Sequence, residues 1–218
     1  MKIIKPSYTI MDEFCGTAVL KKIERIGRLC YKSENAITEN SHLDFVRMLI
    51  SRGHEAMIEH FSFSVLFTVD RGVTHEIVRH RLASFAQEST RYCNYSKGKH
   101  GNEITVIETP FWEEDSAEYK AWEMSCLTAE AQYIALTKQM GGLAQEARAI
   151  LPNSTKADIV MTANLRSWRN FFKLRTAKDA HPQMREVTIP LLEELQNRLP
   201  VVFEDIKITD DARKLRRK

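Results

Sequence analysis

The sequence predicts an α+β fold, a β-sheet packed with helices in a single domain over residues 1–218. Three observations carry that expectation. From His60 to Val69 the residues Phe61, Phe63, Val65, Phe67 and Val69 take alternate positions, the period of a strand with one buried face. From Tyr119 to Met140 apolar residues recur at alternating spacings of three and four, the period of a helix with one packed face. Strand-like and helix-like stretches interleave along the chain without regular strand–helix–strand units, which favours a sheet with helices laid on it.

The elements follow in order. A first helix begins near Ser41, where Ser41 and Asp44 stand at capping spacing ahead of Phe45, Val46, Leu49 and Ile50, and it ends by Gly53. The His60–Val69 strand is broken at Arg71-Gly72, and Val73 to about Leu82 reads as a helix. Ile104 to Ile107 is a short strand stopped by Thr109-Pro110. The long helix then presents Tyr119, Trp122, Cys126, Ala129, Tyr133, Leu136 and Met140 on one face, a stripe suited to core or subunit packing, and stops at Gly141-Gly142. A short helix runs to Leu151-Pro152, Ala157 to Met161 reads as a strand, and helices follow over Asn164–Leu174 and Pro182–Leu199.

A chain of 218 residues can bury a real core, roughly 70% of its unfolded surface. The formal charge of +3 is too small to indicate a nucleic-acid partner, and the basic end Arg213-Lys214-Leu215-Arg216-Arg217-Lys218 reads as a solvated tail. Cys15, Cys30, Cys93 and Cys126 form no Cys-x-x-Cys pair, so reduced thiols in a cytoplasmic protein are expected. The opening residues lack the apolar stretch of a signal peptide, and no run approaches the ~20 apolar residues of a membrane span.

The chemistry concentrates between Arg79 and Tyr92, where three arginines, a histidine, several hydroxyls and the Gln87-Glu88 pair share one short segment. Guanidinium forks and hydroxyls suit a phosphate monoester, each charge-assisted bond contributing ~1.5–3 kcal/mol. On composition alone an exposed charged helix end followed by a turn is an equal reading. Another alternative is a basic module that binds RNA, with Phe85 or Tyr92 stacking on bases.

The spacing adds to this. Arg79-His80-Arg81 followed by Ser84, Ser89 and Arg91-Tyr92 resembles the signature of the flavin-dependent thymidylate synthases. Gly53-His54-Glu55 with Glu59-His60, Arg148 ahead of Ile150-Leu151-Pro152, and Asn164-Leu165-Arg166-Ser167 with Asn170 and Leu174-Arg175 resemble three further blocks of that family, in the same order. The resemblance implies an enzyme that transfers the methylene of 5,10-methylenetetrahydrofolate to dUMP and reduces it to a methyl. It would make dTMP and release tetrahydrofolate, with FAD relaying electrons from NADPH. It places FAD against His54, Arg79, His80, Arg81, Gln87, Asn164, Leu165, Arg166 and Asn170. It places dUMP against Glu76, Arg79, Gln87, Glu88, Ser89, Thr90, Arg91, Arg148 and Arg175. Arg175 and Ser89 are the implied catalytic residues, Arg175 by polarising the uracil and favouring loss of its N3 proton, Ser89 by positioning substrate. The family is a homotetramer with its sites at subunit interfaces.

Departures are visible too. Ala86-Gln87-Glu88 stands where the family often has Asn-Glu-Leu or similar, so Gln87 can bond a uracil edge but cannot act as a base. Ala56 occupies a position where some relatives carry a hydroxyl, and the stretch from Arg175 to His181, ahead of Gln183, is slightly longer than in some members. On a helix, Glu76, Arg79 and His80 would approach one face, and Arg166 and Asn170 would share another while Leu165, Trp168 and Phe172 point to a core.

Two rival motifs fail on spacing. His54-Glu55 with Glu59-His60 suggests a metal site, but the zincin pattern needs a histidine where Ile58 stands, so no metal is expected. Ser89 lacks a Gly-x-Ser-x-Gly elbow, so no acyl-enzyme is expected. His42, His75 and His100 read as surface or core histidines.

Overall fold

A computed structural model describes residues 1–98 and 101–215; His100 and the tail end Arg216-Arg217-Lys218 lie outside the described residues. The strands are β1 (Lys2–Ile4), β2 (Ser7–Ile10), β3 (Ser62–Asp70), β4 (Ser84–Gln87), β5 (Thr105–Ile107) and β6 (Lys156–Asn164). The helices are α1 (Gly16–Leu29), α2 (Ser41–Ser51), α3 (Arg71–Ile77), α4 (Ala117–Ile134), α5 (Ala144–Ala147), α6 (Leu165–Arg175), α7 (Pro182–Arg198), α8 (Pro200–Phe203) and α9 (Asp210–Arg213). Tight 3₁₀ turns cover Glu55–His60 and Arg148–Ile150.

The main sheet runs β2-β3-β6-β4, and all its neighbours are antiparallel. β3 and β6 pair along their whole length, from Ser62 opposite Asn164 to Asp70 opposite Lys156. Alternation sorts this pair into two faces. Phe63, Val65, Phe67 and Val69 meet Ala163, Met161, Ile159 and Ala157 on the buried face. On the other face Ser64 and Thr162 share a 2.9 Å hydrogen bond, and Thr68 donates to Asp158 at 2.7 Å. β1 and β5 form a separate two-stranded parallel sheet.

The core lies between the main sheet and α1, α2, α6, α7 and α8. Trp168 of α6 stacks on Phe63 with ring centroids 5.0 Å apart, and its indole N–H donates to the Phe63 carbonyl at 3.2 Å. Each fully buried large side chain contributes ~1.5–3 kcal/mol, so this helix–sheet contact fixes where the polar side of α6 points. A second, smaller cluster joins Tyr95, Ile104, Val106, Cys126, Tyr133 and Ala147 under α4.

Several expectations need correction. α2 begins at Ser41 as its pattern suggests, but the Ser41 hydroxyl does not cap it; it accepts from the Thr38 amide at 2.8 Å. The helix expected from Val73 to Leu82 starts earlier and ends at Ile77, because the Asp70 carboxylate caps it by accepting from the Val73 amide at 2.8 Å and because the chain must extend into β4 from Ser84. The α4 stripe buries Tyr119, Cys126 and Tyr133, yet Met140 is 70% exposed. A π-helical turn over Ala135–Gln139 intervenes, and its larger number of residues per turn shifts Met140 off the packed face. β1, β2, α1 and β4 have no counterpart in the sequence reading.

Candidate active site

The topology brings three segments to one end of the main sheet. Because β3 and β6 are antiparallel and in full register, the Glu55–His60 turn ahead of β3 lies beside the start of α6 after β6. β4 pairs Ser84 with Thr162, so the Arg79–Ala83 turn ahead of it reaches the same end. Between these segments opens a cleft of about 940 Å³. Met161 is part of its lining, with Arg79, His80 and Arg81 from the turn and Asn164, Arg166, Asn170 and Arg175 from α6 and its cap.

α6 supplies its face by simple amphipathicity. Leu165, Trp168, Phe171 and Phe172 are fully buried, while Arg166, Asn170, Lys173 and Leu174 border the cleft. The Asn164 side chain accepts from the Ser167 amide at 2.9 Å and so caps the helix at the cleft's edge. Arg169, 1% exposed, ties α6 down from behind through Asp205 at 2.6 and 2.7 Å, the Val202 carbonyl, and Glu55 at 3.1 Å. Those bonds hold the Asp205 carboxyl below its ordinary range. Glu59 in turn receives Arg166 at 2.6 Å.

Arg175, at the last turn of α6, faces the end of α3. Its Nε donates to His80 Nε2 at 2.9 Å, and its Nη1 meets the Glu76 carboxylate at 2.7 Å. His80 packs edge-on against Phe171. Burial first, and the Arg175 charge second, push the His80 imidazole down to about 4. A neutral ring has a lone pair to accept from a guanidinium, so the pairing and the depressed basicity support each other. The result is an arginine aimed by two partners, suited to stabilising negative charge on a planar ligand.

At the end of β4, Gln87 donates from its amide nitrogen to Thr74 at 3.0 Å, and the Thr74 hydroxyl donates to the Arg71 carbonyl at 2.9 Å. That bond uses one of the amide's two N–H donors, so Gln87 keeps a second N–H and its carbonyl oxygen for a ligand. A tight turn follows: the Tyr92 and Cys93 amides both donate to the Ser89 carbonyl, at 3.2 and 2.9 Å, and the Arg91 amide donates to Ser89 Oγ at 3.3 Å. Thr90 is buried and Arg91 is exposed, its guanidinium 5.4 Å from the Tyr92 ring centre.

The cleft therefore collects Arg79, His80, Arg81, Asn164, Arg166, Asn170 and Arg175 from the implied site residues, and Glu76 joins through Arg175. Gln87, Glu88, Ser89, Thr90 and Arg91 form the adjoining strand end and turn. Leu165 presents no side chain to the cleft, being fully buried, and its amide donates to the Phe61 carbonyl at 3.1 Å. His54 is exposed ahead of the Glu55–His60 turn, and Arg148 is exposed on the turn after α5; neither lines the cleft. Glu55, Glu59 and Leu174, named in the resembling blocks without a site role, also line it, as does Lys173, which only the α6 periodicity could have signalled. Among the described residues no group of His, Cys, Asp and Glu is arranged to hold a metal ion, no helix is long and apolar enough to cross a membrane, and none of the cysteines is in a disulfide. Phe85 packs on the core, which removes one aromatic surface from the RNA-binding alternative.

The family model described as "Thymidylate synthase complementing protein" matches residues 17–201. The flavin-dependent thymidylate synthase of Mycolicibacterium gilvum is 31% identical over 204 residues, covering 86% of this chain and 79% of that one. That of Corynebacterium efficiens is 32% identical over 203 residues, covering 85% and 79%. The crystal structure of PolB, a UMP/dUMP methylase from Streptomyces cacaoi bound with 5-Br dUMP, shares the fold with a TM-score of 0.73 at 23% identity, over 94% of this chain and 96% of that one. With the family model and the relatives in agreement, this chain belongs to the flavin-dependent thymidylate synthase family.

Proposed function

We propose that the chain converts dUMP to dTMP with 5,10-methylenetetrahydrofolate as carbon donor and NADPH as reductant, and that the cleft beside α6 is where FAD and the uracil ring meet. The observation that carries this is Arg175, aimed by Glu76 and a neutral His80 at the mouth of an arginine-rich cleft. The donor set fits FAD. Arg79, Arg81 and Arg166 offer charge for a pyrophosphate, and Asn164 and Asn170 offer amides for a heteroaromatic edge. Of the rest of the implied cofactor set, Gln87 stands at the end of β4, while His54 and Leu165 offer the cleft no side chain. When bound and reduced by NADPH, FAD would supply the electrons that turn the transferred methylene into a methyl, electrons that would otherwise have to come from the folate.

The chain's own share is orientation and electrostatics. Arg175 stabilises the negative charge left when the uracil loses its N3 proton. Gln87 offers its carbonyl oxygen to a donor on the nucleotide. Ser89, Thr90 and Arg91 take the phosphate, and Ser89 positions substrate without attacking it. Glu76 and Arg79 border the nucleotide, Glu88 stands at the entry of its phosphate turn, and Arg148 reaches it from a neighbouring subunit of a homotetramer. The unpaired cysteines suit a reducing compartment such as the cytoplasm.

The test is direct. Protein reconstituted with excess FAD should show flavin absorbance, perturbed by dUMP, and with NADPH and methylenetetrahydrofolate it should yield dTMP and tetrahydrofolate. Absence of flavin binding, or dihydrofolate as the main folate product, overturns the proposal.

A further inference from the structure

Glu88 stands immediately before Ser89, and neither of its carboxylate oxygens is free. The Tyr95 hydroxyl donates to Oε1 at 2.9 Å, and Lys156 Nζ donates to Oε2 at 2.8 Å. The Asp158 amide adds a 3.3 Å bond to Oε2, and the Glu88 amide donates to the Asp158 carbonyl at 2.8 Å, carrying the β4–β6 ladder one residue further. Lys156 also meets Asp158 Oδ2 at 2.7 Å, and Asp158 Oδ1 accepts from Thr68 on β3. Side chains of Glu88 and Lys156 are only 14% and 20% exposed, so the pair sits largely out of water.

The two partners belong to different bodies. Lys156 is the first residue of β6, opposite Asp70 at the end of the β3–β6 register. Tyr95 belongs to the second apolar cluster, its ring 5.8 Å from that of Tyr133 on α4 and its amide 3.4 Å from the Tyr133 hydroxyl. Glu88 thus ties the entry of the Ser89–Cys93 turn both to the sheet and to α4, while the turn closes on itself through the Ser89 carbonyl. A loop held in its bound shape loses less freedom when ligand arrives.

We propose that Lys156 and Tyr95 are positioning residues for the nucleotide site: by clamping Glu88 they preform the turn on which Ser89, Thr90 and Arg91 receive the phosphate of dUMP. This rests on the reading that the turn binds that phosphate. The Glu88 side chain then acts through the turn and not by touching the nucleotide. Removing Lys156 leaves a half-buried carboxylate without its counter-charge, beside a turn that must accept a phosphate, and both effects weaken nucleotide binding.

The experiment measures dUMP binding to the FAD-loaded protein by titration calorimetry, with KM and kcat for the full reaction. Lys156→Met should bind dUMP about tenfold more weakly and Tyr95→Phe about threefold, with FAD affinity and kcat little changed. Lys156→Arg, which keeps a donor for Glu88, should recover most of the loss. Tyr95→Phe separates the clamp from a direct contact between Lys156 and phosphate, because it changes no charge; normal dUMP affinity in Tyr95→Phe overturns the clamp. Should Lys156→Met fail to fold, Tyr95→Phe alone decides. Equal losses of FAD and dUMP affinity would mark a general structural role and also overturn it. Arg91→Ala separates the two layers. Weak dUMP binding there with normal binding in Lys156→Met and Tyr95→Phe refutes only the clamp, whereas normal binding in Arg91→Ala removes the underlying assignment of the turn as well.

Discussion

His80 shows how one side chain is set by its neighbours. Phe171 covers its ring, Arg175 donates to its Nε2, and its pKa falls from 6.5 to about 4. Between those two values the unfolded chain binds a proton that the folded chain does not. The contribution of neutral His80 is therefore fully present above about pH 6.5 and is lost as pH falls toward about 4. His80→Gln keeps an acceptor for the Arg175 Nε and removes the titration. Its melting temperature should fall less steeply than that of the unaltered protein between pH 6.5 and pH 4, measured by calorimetry at matched ionic strength. Superimposable slopes would mean that burying neutral His80 contributes nothing. Sequence spacing suggested only that Glu76, Arg79 and His80 share a face. That Arg175, 95 positions along, would lock Glu76 to His80 depends on how α6 packs, which no local pattern encodes.

At the scale of elements, α7 carries an acid in an awkward place. Glu186 has Oε2 buried without a partner among the described residues, and burial first, then the charge of Glu108, with Lys5 pulling the other way and Asp70 adding a smaller push, raise its pKa to about 7. Here the folded state binds the extra proton, so the contribution is fully present below about pH 4.5 and is lost as pH rises through about 7. Glu186→Gln should consequently melt higher at pH 8, by a few degrees for ~1 kcal/mol in a chain of this size, with the gain vanishing below about pH 5. An unchanged melting temperature at pH 8 would show that water reaches the carboxylate. α7 itself was legible, as were α2, α6, β3 and β6, because each buries a periodic face in a long run. β4 was not, since its Ser84–Gln87 stretch is short, only half apolar and mostly exposed, and becomes a strand by pairing with β6. α1 was missed although Val19, Leu20, Ile23 and Gly27 form a buried stripe, because charged residues separate its apolar positions. The Gly27 contact with Phe45 of α2, where a Cβ would approach within 2.6 Å, is visible only once both helices are placed.

At the scale of the whole molecule, the groups implied at the phosphate lie apart within one chain. The Ser89–Arg91 turn and Arg148 are both implied in holding one phosphate, yet within a chain Arg148 stands exposed after α5 and lines no part of the cleft. If a neighbouring subunit supplies it, the two halves of each site come from different copies. Loss of one phosphate-directed arginine should cost ~1.5–3 kcal/mol, roughly ten- to 150-fold in dUMP affinity. Arg148→Ala and Ser89→Ala should thus both be poor enzymes as pure oligomers. Mixed in equal amounts, unfolded and reassembled, they should regain activity, since about a quarter of the sites would draw the turn from a chain with Ser89 and the arginine from a chain with Arg148. Another quarter would carry both lesions, so activity should rise toward about a quarter of the unaltered level and no further. The mixed sample is compared with each parent at equal subunit concentration, and mass measurement of the oligomers verifies that chains have exchanged. Activity no higher than the parents' mean, in oligomers shown to be mixed, would mean that each chain builds its nucleotide site alone and that Arg148 must be given another role.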